Sequence, residues 1–140
     1  VVSAYLPLTE ALATDDLAAT QNAAAEIQAK LEATDMGLLP HDPHMFWMRR
    51  LMPMNEALRT LRAATDLAGA RAALGPLSDE LIAAVAGLGI SGTGPVHEAF
   101  CPMVAGGQGG FWLQRGRDIR NPYFGPMMLA CGEIRRTFGE

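Results

Sequence analysis

Sulfur dominates the chemistry that this sequence can offer. Its two cysteines, Cys101 and Cys131, stand thirty positions apart, and each has methionine close by, in Cys101-Pro102-Met103 and in Met127-Met128-Leu129-Ala130-Cys131. In an extended segment positions i and i+2 project to one side, so Cys101 and Met103 would present two sulfurs together. In a helix Met127 and Cys131 are four apart and Met128 and Cys131 three apart, so either methionine shares a face with the thiol. Soft thiolate and thioether donors select Cu(I) over hard cations. His97, four residues before Cys101, offers an imidazole to the same set. The residues by themselves leave three states open for the pair: soft-metal ligands, a disulfide, or two unrelated buried thiols.

A second group of soft donors lies at His41, His44, Met45, Met48, Met52 and Met54. His44, Met48 and Met52 form an i, i+4, i+8 ladder, and His41 reaches Met45 one helical turn on. Imidazole with thioether also suits copper, which makes His41, His44, Met45 and Met48 a candidate second metal site. Phe46, Trp47 and Leu51 are interleaved with them, so the same stripe also fits a core or contact surface.

Other signals fall away. Gly87-Leu88-Gly89-Ile90-Ser91-Gly92 matches the dinucleotide-binding spacing by letter, but it follows a helical pattern and lacks the strand that the motif needs. No phosphate-binding Gly-Lys-Ser/Thr occurs, and no serine or cysteine has a base in a nucleophile motif, so the chain does not read as an enzyme. Glu10, Asp15, Asp16, Asp79 and Glu80 read as caps and solvated faces. Arg115, Arg117, Arg120, Arg135 and Arg136 read as a basic patch that pairs with acidic groups of the rest of the chain.

The elements that must position these residues follow from composition. The chain has 140 residues, enough for a single domain with its own core. At 49% hydrophobic it is too apolar for disorder, and no apolar run approaches the roughly 20 residues of a membrane span. A net charge of −4 argues against a nucleic-acid partner. Residues 1–100 hold six basic and twelve acidic groups, whereas 101–140 hold five and three, so the two parts differ in character. No basic-plus-apolar leader opens the sequence at Val1, which reads as a start after a cleavage site or as a piece of something longer.

Alanine-rich, helically spaced apolar positions fill residues 1–90 and predict four helices. The first holds Tyr5, Leu8 and Leu12. The second is capped by Asp15 or Asp16, buries Leu17, Ala24, Ile27 and Leu31, and ends at Met36-Gly37. The third starts at Asp42-Pro43 and is kinked or split by Pro53. The fourth is capped by Asp66 and bends near Gly75 before Pro76. Beyond Gly87 the sequence turns rich in glycine, proline and aromatics. Phe100–Val104 and Gly110–Leu113 read as two strands of a hairpin, and Met127–Thr137 as a last helix. The expected architecture is mostly α: an up-and-down four-helix bundle over residues 1–90, with an irregular cap over 91–140 that contains a short β-hairpin and a final short helix.

The ordered string Phe100-Cys101-Pro102-Met103, Phe111-Trp112-Leu113, Asp118-Ile119-Arg120-Asn121-Pro122-Tyr123-Phe124-Gly125 and Met127/Met128-Leu129-Ala130-Cys131-Gly132-Glu133 resembles a bacterial domain of formally unknown function. That domain occurs alone in exported proteins or fused to periplasmic adaptor (membrane-fusion) subunits of heavy-metal efflux systems. The likeness extends loosely to Tyr5–Asp16 and to Pro76-Leu77-Ser78-Asp79-Glu80-Leu81. The resemblance implies an exported, periplasmic protein of copper or heavy-metal handling, with a heavy-metal efflux adaptor or pump component as partner. It carries over Cys101, Met103, Met127 or Met128, and Cys131 as the Cu(I) site. The Ile119–Gly125 string is expected to be structural, its aromatics packing the cap onto the bundle. The alternative is a protein-interaction module in which a Cys101–Cys131 disulfide staples the cap.

Overall fold

The structure is a computed structural model that describes residues 1–34, 39–90 and 92–139. Four helices come first: α1 (Val2–Ala13), α2 (Leu17–Ala33), α3 (His41–Ala63) and α4 (Leu67–Leu88). They form two hairpins, α1 with α2 and α3 with α4, and each second helix begins at an aspartate. Asp16 accepts a hydrogen bond from the Ala19 N–H and Asp66 one from the Gly69 N–H, satisfying a donor that the helix start would leave unpaired. The expected end of α2 at Met36-Gly37 lies outside the described residues.

Neither Pro53 nor Pro76 splits its helix: α3 and α4 run unbroken through them. A proline costs one backbone hydrogen bond, and Pro76, like Pro7 in α1, is exposed, so water can solvate the freed carbonyl. α3 also starts earlier than the Asp42-Pro43 signal suggested, at His41 after Pro40, with Asp42 in its first turn.

Three strands follow: β1 (Val96–Cys101), β2 (Gly110–Gln114) and β3 (Glu133–Phe138), in the antiparallel order β2-β1-β3. A hairpin was expected, but its first strand lies at Val96–Cys101 rather than Phe100–Val104, and Val104 falls in the 3-10 turn that follows. The last helix was not found: a short 3-10 turn over Gly125–Met128 ends the helical geometry, and Glu133–Phe138 pairs with β1 instead. β1 is thus a central strand, bulged between Glu98 and Ala99 against β3. Val96 and Leu113 point into the helical core with Tyr5, Leu8, Leu58, Leu74 and Leu81. Ala99, Cys101 and Trp112 face the opposite way and form a second small core, closed by Ile119, Phe124, Cys131 and Ile134.

The free edge of β2 explains how sheet and bundle stay together. An edge strand leaves every second backbone N–H and C=O without a ladder partner. Here the Leu113 N–H donates to the Tyr5 hydroxyl (3.3 Å), the Leu113 carbonyl accepts from Thr9 Oγ1 (3.3 Å), and the Phe111 carbonyl accepts from the Tyr123 hydroxyl (2.6 Å). The Tyr5 hydroxyl also lies 2.6 Å from Ser78 Oγ, so one fully buried oxygen joins α1, α4 and β2. Burial holds both Tyr5 and Tyr123 in the phenol form, pushing their pKa values well above the usual 10.

Ion pairs add to this seam: the Arg120 guanidinium donates to both carboxylate oxygens of Glu10 in α1, and Arg71 of α4 reaches Asp15, the Leu12 carbonyl and the Pro122 carbonyl. Of the basic patch, Arg120 therefore pairs with the bundle as expected. Arg136 instead pairs with Glu98 inside the sheet, and Arg135 with Glu133 of its own strand.

Tyr5→Phe removes the oxygen and leaves the Leu113 N–H and the Ser78 hydroxyl buried without it. Urea unfolding should show a loss of about 1–3 kcal/mol, whereas Thr14→Ala, on an exposed hydroxyl, should cost less than about 1 kcal/mol.

Candidate functional site

The two cysteines come together. Cys101 ends β1 and is fully buried beside Trp112; Cys131 lies half-buried just before β3 and packs against the small core that Cys101 forms with Ala99 and Trp112. Both are free thiols. The contact is fixed from two sides. Asn121, with no exposure at all, donates from Nδ2 to the Cys131 carbonyl (2.8 Å), and its Oδ1 accepts from the N–H groups of Tyr123 (2.8 Å) and Phe124 (3.1 Å). A backbone hydrogen bond from the Asn121 N–H to the Leu129 carbonyl closes the same loop. Next, Gly132 has φ +138°, and a Cβ there would lie 2.9 Å from the Trp112 ring and 3.0 Å from the Phe100 carbonyl oxygen. Only a glycine lets the chain pass that close to β1, and this passage sets Cys131 against Cys101.

Neither methionine argument from spacing survives in its original form. β1 stops at Cys101, and Met103 lies in the following turn with αR backbone angles, so the two-residue parity of a strand does not apply to it. Met103 is exposed at the surface of that turn. Met127 and Cys131 do not share a helix face, because the 3-10 turn ends at Met128. Met128 is linked to Cys131 through the backbone: its carbonyl accepts from the Cys131 N–H (3.1 Å), and its side chain is half-buried. Met127 is 85% exposed.

His97 is not part of the pair's surroundings. Four residues along a strand span roughly 13 Å, not one helical turn. Its Nδ1 lies 2.8 Å from Thr137 Oγ1, at the far end of β1. Among the described residues, no group of three or more His, Cys, Asp or Glu side chains is placed to hold a metal ion.

The histidines and methionines of α3 lie apart from the thiol pair in sequence and form their own stripe. His41 is exposed and His44 half-buried, and Met45, Met48 and Met52 are exposed, whereas Met54 is fully buried in the helical core with Trp47, Leu58 and Leu61. Asn121 was the functional-looking residue that spacing did not single out. Its signal was an Asn-Pro turn dipeptide inside an otherwise apolar and aromatic string.

The chain belongs to a family described as "Protein of unknown function", DUF3347, whose model matches residues 1–93. That span holds the four helices and stops short of β1, so both cysteines and the Ile119–Gly125 string lie beyond it. No curated protein and no solved structure matches the chain. No helix among the described residues is long and apolar enough to cross a membrane.

The hydrogen bond with the Cys101 sulfur pushes the Cys131 thiol up from its ordinary 9.0 to about 11. Burial and the electrostatic repulsion of the neighbouring Cys101 sulfur act in the same direction. Since the thiolate is the nucleophile, alkylation of Cys131 by iodoacetamide at pH 8 should run roughly a hundredfold slower than for an ordinary thiol. The rate should climb to a midpoint near 11. Peptide mapping follows the modified position, and a midpoint at or below 9 would contradict this upward push.

Proposed function

We propose that this is a periplasmic soft-metal-binding protein, with Cu(I) as its cargo, acting in copper or heavy-metal tolerance, delivery or efflux. The observation that supports this reading most is the sulfur-to-sulfur contact of Cys101 and Cys131. The fold packs two residues thirty positions apart against each other, Cys101 buried and Cys131 half-buried, with Met103 and Met127 or Met128 in the adjoining turns. Two thiolates with one or two thioethers make an all-sulfur donor set, which suits a soft monovalent ion and not a hard or strictly tetrahedral one. Cys101 and Cys131 would hold the ion, and Asn121 and Gly132 would keep them in place. Uptake must displace protons from the thiols, so binding strengthens as pH rises.

The partner in this reading is a heavy-metal efflux adaptor or pump component, which the likeness of the C-terminal string to domains fused to such adaptors supports. A second reading rests on the same contact: the thiols close to a disulfide that staples β1 to the segment before β3, and the domain serves as an interaction module. Loop closure of that size is worth about 3–4 kcal/mol.

Competition with a chromophoric Cu(I) chelator, under nitrogen and after reduction, separates the two. The full chain should take up one tightly held Cu(I), lost in Cys131→Ser while the helical circular dichroism persists. A chain that binds no Cu(I) when reduced, and whose Tm rises by several degrees on oxidation, would belong to the second reading.

A further inference from the structure

We infer that the N-terminal half of α3 carries a second, surface-exposed site for a soft monovalent cation such as Cu(I) or Ag(I), formed by His41, His44, Met45 and Met48. It shares no residue with the cysteine pair and does not rest on the function proposed for that pair.

The four residues stand at i, i+3, i+4 and i+7 of one continuous helix. At 3.6 residues per turn they fall within an arc of about 100°, and neighbours in the set have Cβ atoms about 5–6 Å apart. In a globular protein this spacing normally marks the face that a helix buries. α3 buries a different one: Trp47, Met54, Leu58 and Leu61, with Leu51 packed against them, line the core. The histidine–methionine face lies about a quarter turn away and looks outward, with His41 exposed, Met45 and Met48 at 41% and 42% exposure, and only His44 half-buried.

The orientation of the helix is held independently of these side chains. Phe46 packs on Gly87 of α4 so closely that a Cβ there would lie 2.7 Å from its ring, and Arg50 bonds Glu80 of α4 at 3.1 Å while lying over the Phe46 ring. α3 is thereby locked against α4 through residues 46 and 50, and the donor face is preset, not formed on binding.

The chemistry of the set points to one class of ligand. The two imidazoles and two thioethers of the set are donors of borderline to soft character, and none of its four residues carries a carboxylate. Hard divalent ions need oxygen, and a structural zinc ion prefers thiolate or several imidazoles, so the set fits a low-charge, polarisable cation. Neutral donors on one exposed helix face should bind such an ion more weakly than a thiolate pair does, and exchange it readily.

The test uses the full chain labelled with 13C-methyl methionine, titrated with silver(I) nitrate in the absence of thiol reductant. The Met45 and Met48 methyl signals should shift in a saturable way, together with the ring protons of His41 and His44. The same shifts should appear in the Cys101→Ser/Cys131→Ser chain, which removes the other site and so keeps the two proposals apart. Met48→Leu, on an exposed position and nearly equal in volume, should weaken this binding at least tenfold. Wild-type methyl signals that do not move with silver(I), or an affinity unchanged in Met48→Leu, would overturn the assignment. Methyl shifts that follow protein concentration without any metal would also overturn it, by marking the face as a contact between copies of the chain.

Discussion

The hydroxyl of Tyr5 is the point on which the arrangement of this molecule turns. It sits inside the core between α1, α4 and β2, 2.6 Å from Ser78 Oγ, and accepts the N–H that β2 turns away from its only ladder partner. With Thr9 and Tyr123 it satisfies the outer edge of the sheet, so that edge is sealed against the helices rather than left to pair with another chain. A three-stranded sheet of this size has little stability alone, and it is docking onto the bundle that makes it persist. Everything on the far face of the sheet depends on that docking.

That far face is where the thiols lie. With Val96 and Leu113 committed to the helical core, strand alternation sends Ala99, Cys101 and Trp112 outward, where they would be exposed if nothing covered them. The segment from Ile119 to Cys131 supplies the cover. Its polar centre is Asn121, whose side chain makes three hydrogen bonds to the backbone of the same loop and so fixes where Cys131 arrives. The sulfur contact is thus the product of two steps, edge sealing and loop closure. Neither involves the cysteine side chains.

Much of the helical part was legible in the sequence, for physical reasons. Asp16 and Asp66 are capping residues followed by helically spaced apolar positions, and both cap as expected. Pro53 does not split α3, because one missing hydrogen bond is outweighed by the packing of Met54, Leu58 and Leu61 beyond it. The last strand was misread as a helix because Glu133–Phe138 holds four polar residues and no clean alternation, and its strand form comes from pairing with β1, which no local pattern encodes. The cysteines were visible as a pair of soft donors, but their meeting was not. It rests on Gly132 and Asn121, whose roles lie in a positive φ and a buried amide rather than in a motif. For the same reason His97, close in sequence, is remote along the strand.

The central claim is that the thiols brought together by this fold hold a soft cation through sulfur alone. A copper K-edge X-ray absorption spectrum of the reduced full chain, loaded with one equivalent of Cu(I), tests it most directly. The account predicts a first shell made only of sulfur neighbours, lost when Cys101 and Cys131 are both replaced by serine. A first shell containing nitrogen or oxygen at that loading, or one unchanged by the two substitutions, would contradict it.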